Sequence, residues 1–456
     1  MMAPTTLLFY LAAFVVALGV LIVVHEFGHF AVARLCGVKV LRFSVGFGRP
    51  LAMRRFGRDG TEWAISAFPL GGYVKMLDES EAPVPAEDID RAFNRQSVGK
   101  RILIVLAGPV ANLLLAVFLY WVVFVLGVEE LRPVLDEPSA ASPAAVAGIH
   151  SGETVRTVNG KSISTWQEFS LEIVDLALRH EAAVLETENR AGEAAVRRVE
   201  VGATASVDED LLARLGLRLN RPLSRPVVGE VLADSPAAAS GIRAGDLLLT
   251  IDGKPTPTSA DVTRLVRDSG GRSMAVDFRR GAETLHVQLT PRETPNGGER
   301  VWRIGVQFRD DPAAHIDMSI VVRYGPAAAV GRAIALTSDW VMMDLRIIGR
   351  MIGGEVSPKN ISGPVAIAEF AGQSARLGTA HYLKFLALIS ISLGVLNLLP
   401  IPILDGGHLL YYLAEIIRGR PLPDRVAELG RQVGFALLIL LMVFALYNDI
   451  NRLIPG

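Results

Sequence analysis

At 456 residues the chain has room for about three domains of ordinary size. Half of its residues are hydrophobic and its mean hydropathy is +0.36, more than a soluble protein needs. A formal net charge of -1 with dispersed basic residues argues against a nucleic-acid partner, and the single cysteine, Cys36, excludes an internal disulfide and a zinc ribbon. Cys36 reads as a small buried apolar residue.

The first run, Met1 to Val24, is uncharged. It has no basic start and exceeds the roughly 7 to 15 apolar residues of a secretory leader, so it reads as a retained transmembrane helix. It runs directly into His25-Glu26-Phe27-Gly28-His29. On a helix, residues four apart lie about 40° apart around the axis, so both imidazoles can face one point, as two ligands of a zinc ion. Glu26 between them suits proton transfer from a metal-activated water. Ionisable residues following a membrane-length apolar run are costly to keep there, and function is the default reading.

Two alternating, β-branched stretches follow, Val38 to Gly48 and Ile65 to Met76, and these predict a strand pair or β-loop. It either packs as a small hairpin on the membrane face or offers an edge that captures an extended peptide by strand addition. The acidic residues Asp78, Glu79, Glu81, Glu87, Asp88 and Asp90, with Pro83 and Pro85, read as a solvated flexible loop. A second apolar run, Ile102 to Val128, contains Gly108-Pro109 and the lone amide Asn112. That amide either bonds a neighbouring helix or shapes a cavity.

The middle of the chain repeats itself. The stretch Ser142 to Gly152 returns as Ser235 to Gly245, and Thr157 to Lys161 returns as Thr250 to Lys254, both shifted by 93 residues. Each copy predicts a short helix that starts after Ser-Pro and stops at Gly. A strand then ends in an Asn-Gly or Asp-Gly turn. These signatures resemble PDZ domains of bacterial envelope proteases, a fold that holds extended peptide at a sheet edge or filters by size. A helix is expected from Pro326 to about Ile352, either packed on the second repeat or, the preferred reading, amphipathic and lying at the outer membrane surface.

The last two apolar runs are Phe385 to Leu404 and Gln432 to Asn448, the latter only 17 residues long and dependent on its flanks. Arg34, Lys39, Arg42, Arg49, Arg95, Lys100 and Arg101 lie between the first two runs, and Arg418, Arg420, Arg425 and Arg431 between the last two. By the positive-inside rule both connections are cytoplasmic, and the termini and residues 129 to 384 lie outside. The first and third runs then point the same way, which brings Asp405 to the depth of His25 and His29. A His2Asp zinc site with one open position is the expectation. Pro400 and Pro402 break helical hydrogen bonding there, and Gly406 with Gly407 permits a tight turn. Broken backbone at membrane depth is tolerated where it lines a wet cavity.

With the His25–His29 motif and Leu404-Asp405-Gly406-Gly407 on separate spans around two PDZ-like repeats, the chain resembles the site-2 protease family of intramembrane zinc metalloproteases. The resemblance implies that His25, His29 and Asp405 bind Zn2+ and that Glu26 is the general base. It also implies that Asn397 holds substrate or steadies the oxyanion. Gly108, Pro109 and Asn112 match the family's second-span motif, and Gly46-Phe47-Gly48 resembles its membrane-associated β-loop. Gly46, Gly48, Pro400 and Pro402 are the further candidate substrate contacts.

The implied fold is an α-helical polytopic membrane protein, with four transmembrane helices, a membrane-associated β-loop and two tandem α+β PDZ-like domains. Its expected parts are residues 1–128, two spans with the β-loop; 129–221 and 222–310, the PDZ-like domains; 311–380, amphipathic linker helices; and 381–456, the last two spans. The implied activity is cleavage inside pre-trimmed single-span proteins of the bacterial inner membrane, such as an anti-sigma factor or signal-peptide remnants. The bilayer and peptide ligands of the PDZ-like repeats are the other expected partners. Two rival readings are a membrane-anchored zinc protease of soluble chains and a PDZ scaffold without activity.

Overall fold

The apolar run that begins the chain forms one helix, α1 (Pro4–Leu35), which continues through the His-Glu-x-x-His motif without a break. The computed structural model describes residues 4–80, 82–189, 191–201, 210–220, 225–296, 299–309, 318–354 and 363–453. The chain divides into two units, Met1–Val128 with Val322–Arg452, and Glu129–Val321 with Leu453–Gly456.

In the first unit, α1 is followed by the strands β1 (Val40–Phe56) and β2 (Thr61–Met76) and by helix α2 (Val98–Leu126). The later part of the unit is helical: α3 (Pro326–Ile352), α4 (Pro364–Leu377), α5 (Thr379–Leu398), α6 (Asp405–Arg418) and α7 (Asp424–Leu453). Among the described residues, four helices are long and apolar enough to cross a membrane: Thr5–Leu35, Val98–Leu126, Thr379–Leu398 and Arg425–Asn451. They match the four expected runs with two adjustments. The third helix stops at Leu398, before Pro400 and Pro402, whose missing amide protons cannot continue it. The fourth gains its length from flanks that are also helical.

Helix α2 is the post against which the others stand. Gly28 lets α1 approach closely, since a Cβ there would lie 2.3 Å from the Ala107 carbonyl oxygen. Gly394 does the same for α5 at the Pro109 carbonyl, and Ser390 Oγ donates to the Asn112 carbonyl at 2.7 Å. Arg101 pairs with Glu415 at 2.7 Å and lies 4.8 Å from the Tyr412 ring centre, which ties α6 to the start of α2. Helix α3, with the bounds expected from sequence, packs on α2 and α5, and Trp121 Nε1 donates to its first carbonyl, Pro326, at 3.0 Å.

The expected strand pair forms. Both strands bend, so residues 42–45 pair with residues 72–75 on one side and 62–65 on the other. Phe30 of α1 anchors this sheet against Phe43 and Trp63, whose ring centres lie 4.6 Å apart. The acidic stretch is more ordered than a solvated loop. Residues 86–91 form a 3-10 helix, Asp88 is buried and pairs with Lys39 at 2.6 Å, and Glu79 pairs with Arg95. Opposite charges 49 and 16 residues away supply what the local composition does not show; Glu81 lies outside the described residues.

In the second unit the two repeats fold alike. Ser142 and Ser235 cap their short helices by accepting from Ala145 N and Ala238 N at 3.3 and 3.2 Å. The turns carry positive φ at both positions, 48° and 80° at Asn159-Gly160 and 48° and 72° at Asp252-Gly253, as a tight hairpin requires. The turn residue in each copy also accepts from a neighbouring strand, Asn159 from Val184 N and Asp252 from Ala275 N. Each copy has a four-stranded sheet and its own core, one around Phe169, Ile173 and Leu185, the other around Val262, Val276 and Phe278.

A buried carboxylate follows the same glycine in each copy, Glu153 paired with Arg197 and Asp246 with Arg280, both at 2.8 Å. Burial penalises the ionised Asp246, but the Arg280 guanidinium and the Arg243 amide offset this and hold its carboxyl below the usual range. A depressed folded-state pKa means the contribution is complete above the unfolded value, about pH 4, and is lost as pH falls through the lower folded value. We predict that Asp246→Asn lowers the stability of the second repeat at pH 7 by about 1.5–3 kcal/mol, toward the lower end because Arg280 is partly exposed. Hydrogen exchange of the 274–280 amides checks this, and the difference from wild type shrinks when the comparison is made below about pH 4.

Candidate active site

Helix α1 sets His25 and His29 one turn apart, with ring centres 4.8 Å apart and planes at 83°. Their Nε2 atoms are 3.2 Å apart. Asp405, the first residue of α6, brings Oδ2 to 3.2 Å from His25 Nε2 and 3.5 Å from His29 Nε2. Among the described residues this is the one cluster of metal-type donors. Ligand atoms at about 2.0–2.1 Å on a tetrahedral zinc sit about 3.3 Å apart, and the three measured separations bracket that value. Asp405 Oδ2 is buried with no hydrogen-bond partner, an acceptor whose burial is costly unless a cation meets it. The three residues therefore fit zinc.

Helix α2 supplies the support. Ile104, Gly108 and Asn112 recur every four residues and share a face. The Ile104 carbonyl lies 2.8 Å from His29 Nδ1 and accepts its proton, which leaves the Nε2 lone pair free. A Cβ on Gly108 would lie 2.3 Å from His29 Nε2 and 2.8 Å from His25 Cε1, so only glycine fits under the two rings. Asn112 is buried, with its side-chain amide 3.4 Å from His25 Nδ1.

Glu26 lies close enough to His25, His29 and Asp405 to feel their charges. A Cβ on Gly72 of β2 would come within 2.8 Å of Glu26 Cγ, so the sheet runs directly beside this carboxylate. Behind Asp405, Gly406 and Gly407 are not the sharp turn expected of them; both are helical residues in the first turn of α6. Glycine is needed there for proximity. Added Cβ atoms would lie 2.2 Å from the Leu399 carbonyl oxygen and 2.4 Å from that of Ile401, because the Leu398–Pro402 loop folds over them.

Residues 13–441 match the profile described as Peptidase family M50. The chain belongs to peptidase family M50. It is 42% identical over 447 residues to the regulator of sigma-E protease RseP of Escherichia coli K12, covering 97% of this chain and 98% of that one. It is 42% identical over 440 residues to a Xylella fastidiosa (strain Temecula1) protein named as a candidate zinc metalloprotease, covering 96% and 97%. A solved PDZ domain of an SdrC-like protein from Listeria monocytogenes covers 20% of this chain and 93% of its own, with a TM-score of 0.17 and 20% identity. This M50 chain is thus a zinc metalloprotease, and the expected resemblance to the site-2 protease family is borne out.

Of the site residues expected from sequence, His25, His29 and Asp405 converge and Glu26 adjoins them. Asn397 lies in the last turn of α5, partly exposed, and Pro400 and Pro402 lie in the loop leading to Asp405. Gly46 and Gly48 sit in the bend of β1 with φ of 92° and 86°, where added Cβ atoms would meet Phe68, at 2.8 Å its carbonyl oxygen and at 3.0 Å its ring. The sheet residue beside Glu26 is instead Gly72, which the sequence signalled only as one of a Gly-Gly pair. The Ile104 carbonyl was invisible in advance because any residue type offers one.

The Gly108 contact makes a sharp prediction. Gly108→Ala displaces the imidazoles and weakens zinc binding by at least about tenfold, whereas Gly99→Ala on the same helix, with nothing within 4 Å, leaves it unchanged. Metal titration of the two purified variants checks this.

Proposed function

We propose that this zinc metalloprotease hydrolyses peptide bonds inside the membrane, with His25, His29 and Asp405 as zinc ligands and Glu26 as general base. One observation carries the reading. Three donors with tetrahedral zinc spacing belong to helices of a unit whose long helices are apolar enough to span a bilayer. Polar groups so placed are expensive unless they serve chemistry.

When bound, zinc acidifies a coordinated water toward neutrality and polarises the scissile carbonyl. Glu26 takes the proton as water oxygen attacks the carbonyl carbon, and returns it to the amide nitrogen as the C–N bond breaks. Asn397 steadies the developing negative charge on the carbonyl oxygen. A helical substrate shields its amides, so it must locally unwind before attack. The sheet that passes Glu26 at Gly72 is suited to hold the unwound segment extended, its main chain pairing with the strand edge. Gly46 and Gly48 shape that sheet, and Pro400 with Pro402 keeps the loop before Asp405 from closing into helix.

The positive-inside distribution supports an inner-membrane orientation with both termini and the two repeats on the periplasmic side. Single-span proteins already trimmed outside the membrane, of the anti-sigma-factor or signal-peptide-remnant kind, are the substrates this arrangement suits. The repeats bind peptide or exclude untrimmed chains by size.

A pre-trimmed single-span reporter in proteoliposomes tests the reading. Glu26→Gln keeps zinc and loses the within-span product by about 10²–10⁴-fold or more. Equal cleavage by the variant and the wild type removes Glu26 from the mechanism.

A further inference from the structure

The amide of Asn112 is buried, its nitrogen lies 3.4 Å from His25 Nδ1, and its oxygen has no hydrogen-bond partner. An amide has nearly the same shape either way round, so its hydrogen bonds decide which end faces where. If the NH2 end donated to His25 Nδ1, the single proton of the neutral imidazole would sit on Nε2. That is the atom placed 3.2 Å from both His29 Nε2 and Asp405 Oδ2, and a protonated Nε2 cannot bind metal. Turning the amide end for end removes the conflict. Oδ1, an acceptor without a partner, then faces Nδ1–H, and the Nε2 lone pair is free.

We propose, resting on the zinc reading above, that Asn112 is a positioning residue. Its side-chain oxygen accepts the Nδ1 proton of His25 and thereby fixes the tautomer and orientation of that ligand. Asn112 and Ile104 would then do the same work for the two histidines from two turns of one helix face, Ile104 with its main-chain oxygen at 2.8 Å and Asn112 with its amide. The need for a side chain at one position only follows from Gly108, which brings the backbone against the His29 ring and leaves His25 Nδ1 to be reached from one turn further on. A neutral acceptor also adds no negative charge to a site that already holds Glu26 and Asp405.

The test is zinc affinity of the full chain in detergent, measured by chelator competition, for wild type, Asn112→Leu, Asn112→Asp and His25→Ala. Circular dichroism verifies that each variant retains its helices. Asn112→Leu is expected to bind zinc about 10–100-fold more weakly. Asn112→Asp, whose carboxylate also accepts from Nδ1–H, is expected to restore wild-type affinity. Wild-type affinity in Asn112→Leu overturns the assignment, and so does equal weakness in the leucine and aspartate variants, which would make the residue a packing element. His25→Ala separates this proposal from the one beneath it. Zinc lost in His25→Ala but kept in Asn112→Leu removes only the role of Asn112, whereas zinc kept in His25→Ala removes the site itself.

Discussion

Two imidazoles can be pressed together on an apolar helix only if a neighbouring helix comes within contact distance and offers acceptors for their outward-facing protons. Helix α2 meets that requirement at three successive turns. The Ile104 carbonyl takes the His29 proton, Gly108 leaves no side chain under the rings, and Asn112 faces His25. The rest of the membrane unit is arranged to keep this face where it is. Gly28 closes α1 onto α2, Gly394 and Ser390 close α5 onto it, and the Arg101–Glu415 pair holds α6, which carries Asp405, to its base. That pair is little exposed at either end, so loss of one partner would strand a charge, and the contact resists separation.

The chemistry gains from the same closeness. A carboxylate and two neutral nitrogens at 3.2 to 3.5 Å in a poorly solvated site are acceptors that a cation among them would satisfy together. Glu26 is carried on the same turn of α1, and Gly72 lets β2 pass it without a side chain between. A peptide held along that sheet would lie beside Glu26 without a separate binding loop. The sheet and the His25–His29–Asp405 cluster are two products of one packing arrangement around α1.

Much of this was legible in the sequence, for physical reasons that differ from element to element. The four spans, the His-Glu-x-x-His spacing, the α3 bounds and the duplicated Ser-Pro and Asn-Gly or Asp-Gly signals are local patterns, and local patterns survive folding. Asp405 was reachable because charge bias orders the spans and so equates depths. What stayed hidden depends on contacts between distant segments. Examples are the burial of Asp88 by Lys39, the closeness of Gly72 to Glu26, and the use of Ile104 by its main chain alone. Gly406 and Gly407 illustrate the limit well. Glycine was expected there, yet the reason is the loop folded over them and not freedom in φ.

The claim that His25 and His29 of α1 and Asp405 at the start of α6 together make one zinc site is open to direct spectroscopic test. X-ray absorption at the zinc edge of the purified full chain should show two imidazole nitrogens and carboxylate oxygen at about 2.0–2.2 Å, with no sulfur. In Asp405→Ala one oxygen scatterer should be lost or replaced by solvent, with a measurable change in the first shell. A shell without imidazole, or a spectrum identical in wild type and Asp405→Ala, would contradict the account.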